Sequence, residues 1–479
     1  MPAMEAAARG ARSDAGRFAG MQAGATHRTG DGIGYGENPG TFLMNSALQA
    51  STVRLRILAI LILVSFIAYV LRTNLSFAAP EMMADLGLTE MQWGYVMAAF
   101  TAGYTIFQFP GGVMGDRFGP RRMLAAIAVM WAILTAATSL VPGRDGFSVG
   151  LVLFMLMFVR FLVGATHAPA FPVVNTSVVR WFPPGRWALP LGLTSTGLTL
   201  GGAAGAILVP LMIAQYGWRT AFLIIAPLGL MVAVLWWRYA RDDPRDHPGV
   251  NQAEADYIEA GRGDLQAQIE AESGRGATGQ PVWLKILKNR DVLLLTLSYS
   301  SMNFVFYIVF SWFYYYLVEV RGFSATDAGL IASAQWIAGA IGATLGGWLC
   351  DGMCRKFGLR WGCRWPVVIG MGGSVVLILV GAWHPSPAVA VSALVLLFFF
   401  NQLNEGPYWA SSVAIGGKQA GAAGGVMNTG ANAMGIVNAL LVPWLGMTFG
   451  WTVAIASAAV FALIGLGFML LVRADRVAG

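Results

Sequence analysis

Twelve long apolar stretches decide what this chain can fold into. They run near 55–78, 92–114, 120–141, 147–171, 187–213, 218–237, 292–318, 326–350, 365–384, 387–409, 420–445 and 451–472. A helix of roughly 20 residues crosses a hydrocarbon core about 30 Å thick, and each stretch reaches that length. Inside such a core the backbone must satisfy its own hydrogen bonds, which leaves helices or closed barrels. Runs this long and apolar read as helices. Composition agrees: of 479 residues, 56% are hydrophobic and 11% charged, against about 25% charged in soluble domains. Intrinsic disorder and a single membrane anchor are excluded, and an ordinary soluble enzyme is argued against.

Positive charge sets the expected orientation. Of 31 Lys and Arg, 26 fall in the N-terminal tail, in alternate loops, in 238–290 and at the C-terminus. Three, Arg144, Arg219 and Arg321, fall in the opposing loops, and two, Arg72 and Arg160, fall inside predicted spans. Basic loops stay cytoplasmic, so both termini are expected on the cytoplasmic side of the inner (plasma) membrane. The net charge of +7 then reflects topology, and no nucleic-acid partner is expected. The reading divides the chain into a disordered tail at 1–50, a six-helix bundle at 51–237, a cytoplasmic linker at 238–290, a second bundle at 291–473 and a short C-terminus at 474–479. No signal peptide is read in the tail.

Motifs for other chemistry are missing. Gly416-Gly-Lys418 is followed by Gln419, so no phosphate-binding GxxxxGK[ST] occurs. No paired carboxylates within a span are present, so no catalytic residues and no cofactor are expected. Cys350, Cys354 and Cys363 contain no CxxC pair, and neither a disulfide framework nor a metal site is implied.

The halves repeat each other. Gly112-Val-Met-Gly-Asp116-Arg117-Phe-Gly119 between spans 2 and 3 is echoed by Gly347-Trp-Leu-Cys-Asp351 with Arg355, Lys356 and Gly358 between spans 8 and 9. Gly217-Trp218 opens span 6 as Gly450-Trp451 opens span 12. Thr196-Gly197 and Pro210 match Thr429-Gly430 and Pro443. The expected fold is twelve transmembrane helices in two six-helix bundles related by a pseudo-two-fold axis. In transporters so built, substrate sits between the halves near the midplane.

The Gly-x-x-x-Asp-Arg-x-Gly-x-Arg loop resembles the signature of the major facilitator superfamily. The resemblance implies a cytoplasmic gate, with Asp116 facing a helix N-terminus and Arg117 and Arg121 pairing with acids across the halves, Asp351 being the second-copy aspartate. Finer matches resemble the anion:cation symporters, which include sugar-acid and vesicular glutamate-type carriers. These are Arg72-Thr-Asn-Leu-Ser-Phe-Ala, Tyr104-x-x-x-Gln108-x-Pro110, Arg160-x-x-x-Gly164-x-x-x-x-Pro169-x-Phe171-Pro172, the linker stretch from Asp246 to Ile258, and Asn428-x-x-x-Asn432.

An arginine within a membrane costs several kcal/mol unless paired or hydrated. Two in one half suggest a wet, positive cavity, and a guanidinium grips a carboxylate with two parallel hydrogen bonds. Arg72 and Arg160 are therefore candidate ligands for an organic anion; the other reading is that each neutralises a structural acid. The resemblance adds Tyr104, Trp409 and Asn428 to the pocket. The sequence departs from proton-coupled relatives at two expected acids: Leu71 and His167 stand there. Replacements for proton coupling are His167, which could instead only shape the pocket, and Glu405, which could instead be an interfacial acid. Aligning Pro169 with Pro407 puts His167 opposite Glu405, which is expected to pair with Arg72 or Arg160 when no substrate is bound. The expected function is secondary transport of a small organic anion, with protons as coupling ion. An uncoupled facilitator or exchanger and a transporter-like sensor are the alternatives.

Overall fold

The computed structural model describes residues 50–143, 147–183, 187–259, 286, 288–416 and 420–475. These residues are built of helices. The first half contains α1 (Val53–Leu86), α2 (Glu90–Phe118), α3 (Pro120–Ser139), α4 (Val149–His167), α5 (Ala170–Trp181), α6 (Ala188–Ile225) and α7 (Pro227–Tyr239). A short helix α8 (Gln252–Glu259) lies in the linker. The second half contains α9 (Arg290–Tyr315), α10 (Ala325–Trp383), α11 (Pro387–Gln402), α12 (Glu405–Gly416), α13 (Ala420–Phe449) and α14 (Trp451–Leu471). Among the described residues, nine helical runs are long and apolar enough to cross a membrane. The protein is an all-α, multi-pass membrane protein.

Local chemistry starts and breaks these helices. Thr89 and Gln92 form a reciprocal capping box at α2, and Ser148, Asn289 and Ser324 cap α4, α9 and α10 with their side chains. The run Ala325–Trp383 is interrupted at Gly358 (φ 75°), and Ala188–Ile225 at Gly217 (φ 75°). A left-handed φ is open to glycine without steric penalty, so the chain can turn there and re-enter a helix within one residue. Two other breaks flank the centre. The apolar stretch 149–181 divides between α4 and α5 at Pro169, and 387–416 divides between α11 and α12 just before Pro407. Proline removes the N–H that would bond the carbonyl four residues back. The pairing of Pro169 with Pro407 inferred from sequence thus coincides with a break in each half.

The halves meet along two seams, α6 against the first leg of α10 and α2 against α13. At one end the contact is polar: Tyr315 Oη and Trp451 Nε1 of the second half both donate to Glu90 Oε1 of the first, at 2.8 and 3.1 Å. The loops carrying Asp116 and Asp351 lie at the other, basic end. There the linker docks on the first half. Glu254, fully buried, accepts from the backbone N–H groups of Val53 and Arg54 and pairs with the Arg54 guanidinium at 3.0 Å, so it caps the start of α1.

The expected gate is arranged differently from the sequence reading. Arg121 does not reach across the halves: Nη2 and Nε donate to the Trp237 carbonyl at 2.8 and 3.1 Å. The anion at the start of α3 is Asp242, which accepts from the Arg121 backbone N–H at 2.8 Å. That is the favourable place for negative charge on a helix dipole. Arg117 is exposed beside Phe118, and Asp351 is exposed. The Asp116 side chain lies outside the described residues. The cysteines also depart from expectation, because the turn at Gly358 brings all three Sγ atoms together.

Candidate functional site

A cavity of about 670 Å³ lies between the halves. Arg72 of α1 and Glu405, the first residue of α12, are the basic and acidic groups that face the cavity among the described residues. Tyr104, His167, Trp409 and Asn428, expected from sequence, line it as well.

Arg72 is held by rings. Its guanidinium carbon lies 4.8 Å from the Tyr104 centroid, 5.1 Å from Phe310, 5.3 Å from Phe100 and 5.4 Å from Tyr69. The residue is 9% exposed, and its Nε has no hydrogen-bond partner. Aromatic faces offer a cation some attraction, and the hydroxyls of Tyr104 and Tyr307 lie within hydrogen-bonding reach of the guanidinium, but Nε is left without an acceptor. A buried donor left unsatisfied costs roughly 1–3 kcal/mol, more when charged. The side chain is therefore positioned and under-satisfied, which suits an incoming anion.

Arg160 occupies a different place. It is 3% exposed, is not among the cavity-lining residues, and lies 5.2 Å from the Phe100 centroid. Phe100 thus takes a guanidinium from each arginine. It can do so because α2 and α4 touch backbone to backbone: a Cβ on Gly164 would fall 2.0 Å from the Phe100 carbonyl oxygen. Among the described residues, neither arginine belongs to an ion pair; the pairs are Arg54–Glu254, Arg180–Asp242, Arg219–Asp85 and Arg245–Glu259.

The expected pairing of Glu405 with Arg72 or Arg160 is accordingly not formed. Tyr299 Oη and Trp409 Nε1 donate to Glu405 Oε1 at 2.8 and 2.9 Å instead. The carboxylate is held on its own wall by its own half. His167 is stacked on Trp131, with ring centroids 4.7 Å apart. Its Nδ1 lies 2.9 Å from the Val163 carbonyl oxygen and its Nε2 3.3 Å from that of Ala68. A neutral imidazole donates to one of these oxygens, and an imidazolium to both.

Further residues complete the site. Asn432 Nδ2 donates to Gln108 Oε1 at 2.9 Å, and Tyr307 Oη donates to Asn432 Oδ1 at 3.1 Å, which stitches the halves at mid-depth. Trp336 of the second half meets Tyr69 of the first edge to face at 5.8 Å. Sequence reasoning passed over Tyr69, Phe100, Tyr299 and Trp336. The spacing of Tyr69 one helical turn before Arg72 was the available signal; the other three act across helices.

Residues 61–357 match the model of the Major Facilitator Superfamily. The chain is 32% identical over 398 residues to the probable sulfoacetate transporter SauU of Cupriavidus necator, spanning 83% of this chain and 88% of that protein. It is 30% identical to the hexuronate transporter of Bacillus subtilis, spanning 82% and 88%. It is also 30% identical to the probable galactarate/D-glucarate transporter GudP of Escherichia coli, spanning 89% and 95%. Among solved structures, a bacterial homolog of the human lysosomal transporter Spinster, inward-facing and unoccupied, superposes with a TM-score of 0.71 at 17% identity, over 88% of this chain and 97% of that one. At that identity the likeness is one of fold. The chain belongs to the major facilitator superfamily. Its work is transport and not catalysis.

Proposed function

We propose that this chain is a secondary transporter that carries a small hydroxylated carboxylate, or a sulfonate of similar size, across the inner membrane by alternating access in symport with protons. The observation that carries this reading is Arg72: a buried guanidinium on the cavity wall, ringed by aromatics, with an unpartnered Nε and, among the described residues, no ion pair. A carboxylate offers two coplanar acceptors, one of which can meet the unpartnered Nε. Tyr104, Asn428 and the Gln108–Asn432 pair are placed to meet hydroxyl groups. The relatives' names, which cover sulfoacetate, hexuronate and galactarate or glucarate carriers, support the same class.

Arg160, next to Phe100 and off the cavity wall, acts through its field. Glu405 carries the coupling proton, because it is the carboxylate of the cavity and stands at a helix break; His167 is the second candidate. Twelve crossings in two bundles follow if the breaks at Gly217 and Gly358 divide their runs and Glu90–Phe118 is counted as a span. The domain limits are those read from sequence, with the basic end and both termini cytoplasmic. Glu90, held by Tyr315 and Trp451, closes the opposite end, so the state is open towards the cytoplasm. Asp116, Arg117 and Asp351 would engage when that end closes.

The test is a binding screen of hydroxycarboxylates and short sulfonates on purified protein, repeated with Arg72→Ala. A ligand whose affinity survives that change overturns the reading. Proteoliposomes given a pH jump separate symport from facilitation, since a facilitator does not concentrate substrate on a proton gradient.

A further inference from the structure

The turn at Gly358 does more than reverse α10. Cys350 and Cys354 sit one helical turn apart on its first leg, and Cys363 comes from the second. Their Sγ atoms form a nearly equilateral triangle with sides of 3.7, 3.8 and 3.9 Å. Cys350 and Cys363 are 2% and 0% exposed, and Cys354 is half-buried. The legs approach this closely because residue 362 is glycine: a Cβ there would fall 2.4 Å from the Cys354 Cα and 2.5 Å from its Sγ.

The triangle has the size of a metal site. Thiolates at about 2.3 Å from a tetrahedral zinc stand about 3.8 Å from one another, and three thiolates around Cu⁺ in a plane stand slightly wider. Thiolates select such soft ions. Arg355, Lys356, Arg360 and Arg364 surround the cluster in sequence, and neighbouring cations favour thiolate over thiol. Cys354, at the half-exposed corner, is the way in, and the exposed Asp351 precedes the glycine that follows it on the same turn. The first-half loop, which reaches Gly119 three residues after Asp116, has no counterpart to this cluster.

We propose that Cys350, Cys354 and Cys363 form a site for one thiophilic d¹⁰ cation, Zn²⁺ or Cu⁺, that staples the two legs of α10 at the basic end of the second half. For Zn²⁺ the fourth position is left to water or a carboxylate; for Cu⁺ three thiolates suffice. The site is independent of the anion cavity.

The experiment titrates full-length protein in detergent, kept reduced with a phosphine, against Zn²⁺ and separately against Cu⁺, each in competition with a chromophoric chelator. One ion per chain is expected for at least one metal, and which metal wins identifies the coordination. Cys363→Ser should weaken binding by roughly 100-fold or more, beyond the 10–100-fold that loss of an outer partner costs. Gly362→Ala keeps three thiols but forces the legs apart, and should weaken binding comparably. Cys354→Ser, at the half-exposed corner, serves if Cys363→Ser fails to fold. Binding of neither ion at one per chain, or equal affinity in a folded cysteine variant, overturns the proposal.

Discussion

The two walls of the central cavity share a backbone plan and differ in chemistry. Both halves break a helix at matched prolines, Pro169 and Pro407, and both put a titratable residue at the break. In the first half that residue is His167, stacked on Trp131 with both ring nitrogens facing carbonyl oxygens. In the second it is Glu405, held by Tyr299 and Trp409. The first wall carries Arg72 and the second the carboxylate, with no second-half Lys or Arg lining the cavity among the described residues. The breaks correspond while the charges beside them differ. One wall is suited to grip an anion, the other to hold a proton.

The largest effect should come from removing the grip. Arg72→Ala is expected to weaken hydroxycarboxylate binding by roughly 100-fold or more, since charge-assisted hydrogen bonds contribute about 1.5–3 kcal/mol each; calorimetry on purified protein reads it directly. Arg72→Lys should recover part of this, because an ammonium cannot bond in the bidentate manner. If Arg72→Ala binds normally, the division of labour between the walls is lost.

Next comes the other wall. Glu405→Gln should leave affinity within about threefold, a change under 1 kcal/mol, while uptake into proteoliposomes stops responding to an imposed proton gradient. Equal pH dependence in variant and parent would move coupling elsewhere, with His167→Gln as the following variant. A smaller effect is expected from Arg160→Met. A unit charge roughly 10 Å away at an effective dielectric near 20 acts with about 1–2 kcal/mol, so affinity should fall by about tenfold. A loss as large as that of Arg72→Ala would mean that Arg160 touches the anion.

The smallest prediction concerns the linker. His247 packs between Tyr239 and Trp181, and its Nδ1 accepts from the Gly249 N–H at 3.1 Å. Burial, with the nearby Arg241, holds this imidazole below its ordinary range. Such a group supports the docked state above its free value near 6.5 and loses that contribution as pH falls through the lower folded value. Hydrogen exchange in 244–259 should therefore be slow at pH 8 and faster, after correction for intrinsic rates, at pH 5.5. Equal protection at both would show that the ring's charge does not matter to docking.

Much of this arrangement was legible in the chain. Apolar length located the helices, the repeat paired Pro169 with Pro407 though not as breaks, and an arginine in a membrane stretch pointed to Arg72. What was not legible depended on contacts between helices. Arg72 and Arg160 are both candidate ligands by sequence, yet of the two only Arg72 lines the cavity. Asp242, which holds the start of α3, lies more than a hundred residues from Arg121. Cys350, Cys354 and Cys363 match no spacing rule, because their meeting depends on one glycine turning the chain and another letting the legs touch.

The seams between the halves carry one more consequence. Where they meet, one partner is repeatedly a glycine: an added Cβ on Gly94 or Gly329 would fall 2.4 Å from the carbonyl oxygen of Ala439 or Ala206 on the opposite half. Side chains that interlock must disengage before two helices can shift, whereas a bare backbone has nothing to disengage. At these two points the halves thus meet like a plain bearing, and the ties that must release lie elsewhere, at Glu90 and at Gln108–Asn432. A single methyl group at either glycine would act as a wedge, holding the far door ajar without touching the residues that choose what passes through it.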